Sequence, residues 1–239
     1  MLILKKYKLL GIICITCLII TSICVFSFKN KSSYLLLGDY SSKDQAFEGY
    51  SIKSFANEVG DFLEKEKLVD DVRNGYSSNN MTSKKLLEMI ESDVYKEDKR
   101  GIVDDIKNSK YITITLGIND VLKDIKYDKF NESFEYNKEV IENKIDVFKH
   151  NYYKIVEEIK DINLESKIIL VGVCSAYDDI VFDNINSSIK EVADYNNIMY
   201  VDTDDIKDEY LYLNNKLYLN EQGQECLANK VILKIKENI

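Results

Sequence analysis

YITITLGIND, residues 111–120, begins with β-branched and aromatic residues, apolar almost throughout, and ends on a glycine followed by a polar pair. A run this short and this rich in Ile and Thr reads as a strand buried on both faces, with a turn at its carboxyl end. KIILVGVC at 167–174 repeats the character, and YLLLGD at 34–39, LVDDVR at 68–73 and NIMYVD at 197–202 complete a set of five candidate strands. The segments between them carry helical period. Ile52, Phe55, Ala56, Val59, Phe62 and Leu63 mark one amphipathic helix, and Val140, Ile141, Ile145, Phe148, Tyr152, Ile155 and Ile159 a longer one. Leu227, Ala228, Val231, Ile232 and Ile235 mark the last. Strands alternating with helices predict a parallel sheet covered on both faces, a three-layer α/β/α sandwich with right-handed crossovers. Ligands of such sheets bind beyond the carboxyl ends of the strands, which gathers Asp39–Ser42, Asn74–Asn80, Gly117–Asp120 and Cys174–Asp179 around one cleft.

Upstream of this body the chain changes character. Leu9 to Phe28 is twenty residues without a charge, which at about 1.5 Å per residue reaches roughly the 30 Å of a bilayer's hydrocarbon core. Residues 1–8 are expected to be a cytoplasmic N-terminus, 9–28 one transmembrane signal anchor, 29–33 a linker and 34–239 the globular domain. Three lysines before the span, with the amino terminus, outweigh the two after it, which puts the body outside the cytoplasm. A cleaved signal peptide is the rival reading, disfavoured because no small-x-small site follows the apolar run and the run is long for a signal. Cys14, Cys17 and Cys24 read as small apolar filler within it.

Of 32 basic and 41 acidic side chains, five of the basic ones and none of the acidic lie in residues 1–31, so residues 32–239 carry a formal charge of -14. Such a body repels phosphate backbones, which argues against nucleic acid as a partner. It holds two cysteines, Cys174 and Cys226, too few for a disulfide framework or a zinc site. Asp178–Asp179 and Asp202, Asp204 and Asp205 lack the glycine and terminal glutamate of a calcium loop and read as solvated loop ends. No metal or cofactor is implied.

Four blocks, YLLLGDYSS (34–42), NGYSSNNMT (74–82), TLGIND (115–120) and LYLNEQGQECLANK (217–230), in that order and on those elements, resemble the sequence blocks of the SGNH (GDSL-type) hydrolases. IKDINLESKIILVGV (159–173) resembles the family's run into its fourth strand. The resemblance covers the whole body. It implies a five-stranded, flavodoxin-like parallel sheet and ester hydrolysis by a Ser nucleophile, a His base, an Asp partner and an oxyanion hole.

Position by position, the family's chemistry is mostly missing. The nucleophile position after Gly38-Asp39 is Tyr40. The oxyanion glycine falls on Ser78, Asn119 is retained, and the Asp-x-x-His pattern becomes Asn215-Lys216-Leu217-Tyr218. A phenol with a pKa of about 10 is a poor base at neutral pH, and an asparagine supplies no charge to an imidazolium. The single histidine, His150, lies off the apolar stripe of its helix and reads as solvent-facing. Ser41 and Ser42 read as turn or cap residues. The expectation is a catalytically inactive, membrane-anchored extracytoplasmic domain. Asp39, Tyr40, Ser78, Asn119 and Tyr218 would line a cleft for a cell-envelope glycan or acylated ligand. Two alternatives stand: an active esterase or deacetylase of envelope polysaccharide with a non-standard nucleophile, and a module with a protein partner bound elsewhere on its surface.

Overall fold

A computed structural model describes residues 32–39, 45–47, 50–96, 100–128, 133–175, 180–206, 208–212 and 215–239. The expected anchor at 9–28 therefore lies outside the described residues. Among the described residues, no helix is long and apolar enough to cross a membrane.

Five strands, β1 (Ser33–Gly38), β2 (Asp71–Ser77), β3 (Ser109–Thr115), β4 (Lys167–Val171) and β5 (Met199–Val201), form one parallel sheet in the order β2-β1-β3-β4-β5. This is the flavodoxin-like order, with its switch point between β1 and β3. Although the central strands read as continuous apolar runs, their side chains alternate between two cores. Leu35, Leu37, Ile112, Ile114, Ile168 and Leu170 face one helical layer, and Tyr34, Leu36, Tyr111, Ile169 and Val171 face the other.

The helices are α1 (Phe55–Lys65), α2 (Ser83–Glu91), α3 (Ile102–Lys107), α4 (Ile118–Val121), α5 (Lys138–Ile162), α6 (Ile180–Asn196) and α7 (Glu221–Lys236). The α1 and α7 helices cover one face of the sheet, and α2, α3, α5 and α6 the other. In α5, Ile141, Ile145, Phe148, Tyr152, Ile155, Val156 and Ile159 recur at spacings of three and four and are all buried. Asn137 caps its start, and beyond its end the Asn163 amide donates to the carbonyls of Ile106, Lys107 and Ser109 at 2.8–3.2 Å.

Three expectations need correction. The second strand is 71–77, not 68–73. Leu68 and Val69 instead close the end of α1, both amides donating to Leu63 O, after Lys67 turns the chain at φ +57°. Asn74-Gly75, expected to open a loop, lies within β2, where the pairing with β1 slips by one residue and Gly75 takes φ +111°. The first helix starts later than its apolar pattern implied, because Ser54 caps it through a bond from Asn57 N, and Ile52 ends a short strand, Tyr50–Ile52, paired with Gln45–Phe47.

Candidate functional site

The site is built around the last residue of β1. Gly38 pairs with Ser77 on one side and Thr115 on the other, at φ +130°. A Cβ here would lie 2.0 Å from the Thr115 carbonyl oxygen, so only glycine lets β1 and β3 end side by side. Asp39 follows, its amide donating to Thr115 O at 2.9 Å and the residue only 5% exposed. Its charge reaches the interior: after burial itself, Asp39 is the next cause raising the pKa of both the Tyr152 phenol and the Cys174 thiol. Tyr40, Ser41 and Ser42 lie outside the described residues.

Ser78 follows β2, and its amide donates to Gly38 O at 3.1 Å, adding one bond to the β1–β2 ladder. Among the described residues, its hydroxyl and that of Thr115 are buried without a hydrogen-bond partner. Beyond β3, Gly117, at φ +133°, turns the chain into α4, and a Cβ there would lie 2.6 Å from Ile185 Cγ2. The turn sets Asn119 and Asp120 against the loop that follows β2. Asn119 Nδ2 donates to Met81 O at 3.0 Å. Asp120 accepts from the amide of Ser83 at 3.1 Å and from its hydroxyl at 2.6 Å, and Asn151 of α5 donates to the same hydroxyl at 3.1 Å. Burial raises the Asp120 pKa in spite of these bonds. This carboxylate holds the start of α2.

The last block starts on a hairpin strand and continues into α7. Leu211–Tyr212 pairs antiparallel with Asn215–Leu219, and Asn220 caps α7 through a 2.9 Å bond from Gly223 N while its own amide donates to Glu209 O and Leu211 O. Tyr218 stands on this hairpin, partly buried, with Leu219 in the core beside it. The structure thus joins Asp39, Ser78 and Asn119 through the ends of β1, β2 and β3, while Asn215 and Tyr218 stand on a separate element. The hairpin and α6 were not foreseen, although α6 carries a readable stripe in Val181, Phe182, Ile185, Ile189, Val192 and Ala193.

No family model matches the chain, and no curated protein matches it in sequence. Solved structures do resemble it. The lipase Lip_vut3 from a goat rumen metagenome superposes with a TM-score of 0.65 at 18% identity, over 85% of this chain and 97% of the lipase. A protein from Parabacteroides merdae described as a GDSL-like lipase gives 0.61 at 13% identity, over 87% of this chain and 97% of its own. The fold is that of the SGNH (GDSL-type) hydrolases. A carbohydrate esterase family 3 protein from Talaromyces cellulolyticus shares it, with a TM-score of 0.57 at 13% identity, over 86% of this chain and 97% of that one.

Within the SGNH fold, the two positions that resemble oxyanion donors are engaged with the protein itself. The Ser78 amide is bonded to Gly38 O, and the Asn119 amide to Met81 O. His150 is exposed on α5. The Cys174 thiol, just past β4, is pushed up to about 12 by burial and by Asp39 and stays protonated, so it is no nucleophile at neutral pH. The acidic loop after β5 has local structural roles: Asp202 accepts from the amide of Asp204, Asp204 from Asn186, and Asp205 pairs with Lys230.

Proposed function

We propose that this chain is a membrane-tethered, extracytoplasmic SGNH-fold protein that no longer hydrolyses esters by a Ser-His mechanism and instead binds a cell-envelope glycan or acylated ligand at the carboxyl ends of β1–β3. The observation that carries this reading is the engagement of the Ser78 and Asn119 amides with main-chain carbonyls. Stabilising an oxyanion needs donors held ready for a charge that appears only during reaction, and a donor already bonded must first break that bond. The sequence supports the same reading with a tyrosine at the nucleophile position and at the base position. Tyrosine faces beside polar groups suit a sugar ring. The anchor rests on the uncharged run at 9–28.

The test is hydrolysis of a chromogenic acetyl ester by the full chain in detergent, beside Tyr40→Phe, Ser41→Ala and Asn119→Ala, followed by titration with acetylated glycan oligomers. The expected result is turnover no faster than buffer and glycan binding weakened about tenfold or more by Tyr218→Ala, the scale of losing one stacked aromatic contact. Turnover that disappears in one of the three variants overturns the reading and makes the chain an esterase.

A further inference from the structure

At the end of the sheet opposite the candidate site, β4 begins at Lys167 and β5 at Met199, and these two strand starts, with α6 and α7, line a cavity of about 530 Å³. That volume lies within the range of small-molecule sites. Ile198 and Met199 give it an apolar wall, Ile198 packed on one core and Met199 on the other. Its charged lining is three lysines, Lys167, Lys190 and Lys234, against one acid, Asp194. In a body of formal charge -14, this inverts the local balance. Ordinary structural duties account for the lysines only in part. Lys234 lies in the last turn of α7, where the helix dipole favours a cation, with Glu237 4.0 Å away. Lys167 Nζ donates to Asn238 O at 2.6 Å, which uses one of its three donors. Lys190 has neither duty. It is exposed, lies short of the last turn of α6, and makes no ion pair among the described residues, even with Asp194 one turn along the helix.

We propose that this cavity binds a phosphate monoester, its phosphate held by Lys167, Lys190 and Lys234 and its organic part set against Ile198 and Met199. This goes beyond the binding role at the carboxyl ends of β1–β3 and does not depend on it. An ammonium binds phosphate as a compact point charge and needs no planar match, so lysines from a strand start and two helices can serve one phosphate together. The apolar wall explains why the ligand is an ester rather than the bare ion: inorganic phosphate leaves Ile198 and Met199 facing water, whereas an organic group covers them. β5 is the edge of the sheet and pairs with β4 alone, so the main-chain groups on its outer side meet no further strand and stay open to a ligand. A soluble phosphate ester and a phospholipid headgroup present this same chemistry.

The experiment titrates the full chain in detergent, by calorimetry, with phenyl phosphate and separately with dihexanoyl phosphatidic acid below its micelle concentration. The expected result is saturable binding of one molecule of at least one probe, weakened about three- to tenfold by Lys190→Gln and by Lys234→Gln. Asp194→Asn, which removes the one acid of the lining, should tighten it about two- to threefold. Lys84→Gln, at an exposed lysine of α2 outside the cavity, should leave it unchanged. Lys190 and Asp194 are exposed and make no ion pair among the described residues, so their variants report on the ligand and not on folding. Tighter binding of phenyl phosphate assigns the site to a soluble ester, and tighter binding of the phosphatidic acid assigns it to a lipid headgroup. Failure of both probes to bind at millimolar concentration, by a chain shown by circular dichroism to be folded, overturns the proposal, as does a loss of affinity that Lys84→Gln shares equally. A chain that binds the phosphate probe and no glycan overturns the binding role and leaves this site standing.

Discussion

Two carboxylates, one fully and one partly buried, show how differently this protein treats its outer edge and the carboxyl ends of its central strands. Asp105, on α3 against the edge strand β2, is fully buried. It accepts from Arg73, from Lys96 at 3.1 Å and from the Tyr76 hydroxyl at 3.0 Å, with Arg100 at 3.9 Å. Burial works against its charge, yet the bonds from Arg73 and Lys96 overcome that cost and hold its pKa below the ordinary 3.8. Asp120, at the cleft, is met mainly by the amide and hydroxyl of Ser83, and burial prevails, raising its pKa. The difference lies in the partners. Charge answers charge at the edge. At the ends of the strands, the Asp120 carboxylate is answered instead by neutral groups of the scaffold.

That contrast can be broken most forcefully at Asp105. Asp105→Asn leaves Arg73 and Lys96 facing a neutral amide in a buried site and is expected to cost about 3–5 kcal/mol in urea unfolding. Next in size, Gly38→Ala is expected to cost about 3 kcal/mol by the same measurement, because it combines a positive φ with a collision against the Thr115 carbonyl. Asn119→Ala should cost only about 1 kcal/mol, the worth of its bond to Met81 O, and leave the chain's behaviour toward acetyl esters unchanged. Smallest of all, Asp120→Asn should stay within about 1 kcal/mol of the parent, since it removes a charge that burial disfavours.

The pH dependence sharpens the comparison because the two signs are opposite. With its folded pKa lowered, Asp105 contributes stability that is complete above 3.8 and lost as pH falls below that value through its folded pKa. With its folded pKa raised, Asp120 favours the folded state most below 3.8 and loses that contribution as pH rises from there through its folded pKa. Urea midpoints between pH 3 and 7 should therefore show a shallower acid-side fall in Asp105→Asn, and in Asp120→Asn the absence of the loss that accompanies rising pH.

Much of the architecture was legible in the chain because burial on both faces demands continuous apolar strands, as in 34–37, 111–114 and 168–171, and burial on one face demands the stripe of α5. The second strand was misplaced for a physical reason. Leu68 and Val69 look like a strand start but serve the end of α1, while Asn74-Gly75 looks like a turn but makes a bulge, and only contact with β1 decides between these uses. Asn119 was legible in its place after β3 and not in its use: the structure bonds its amide to Met81 O.

By itself the sequence determined the alternation of strand and helix and the acidic body, because composition and local period are written residue by residue. Only the tertiary structure decided that the Ser78 and Asn119 amides serve the backbone and that Asp105 and Asp120 shift in opposite directions. Each of these depends on which distant groups the fold brings within a few ångströms, and sequence spacing carries no such distance.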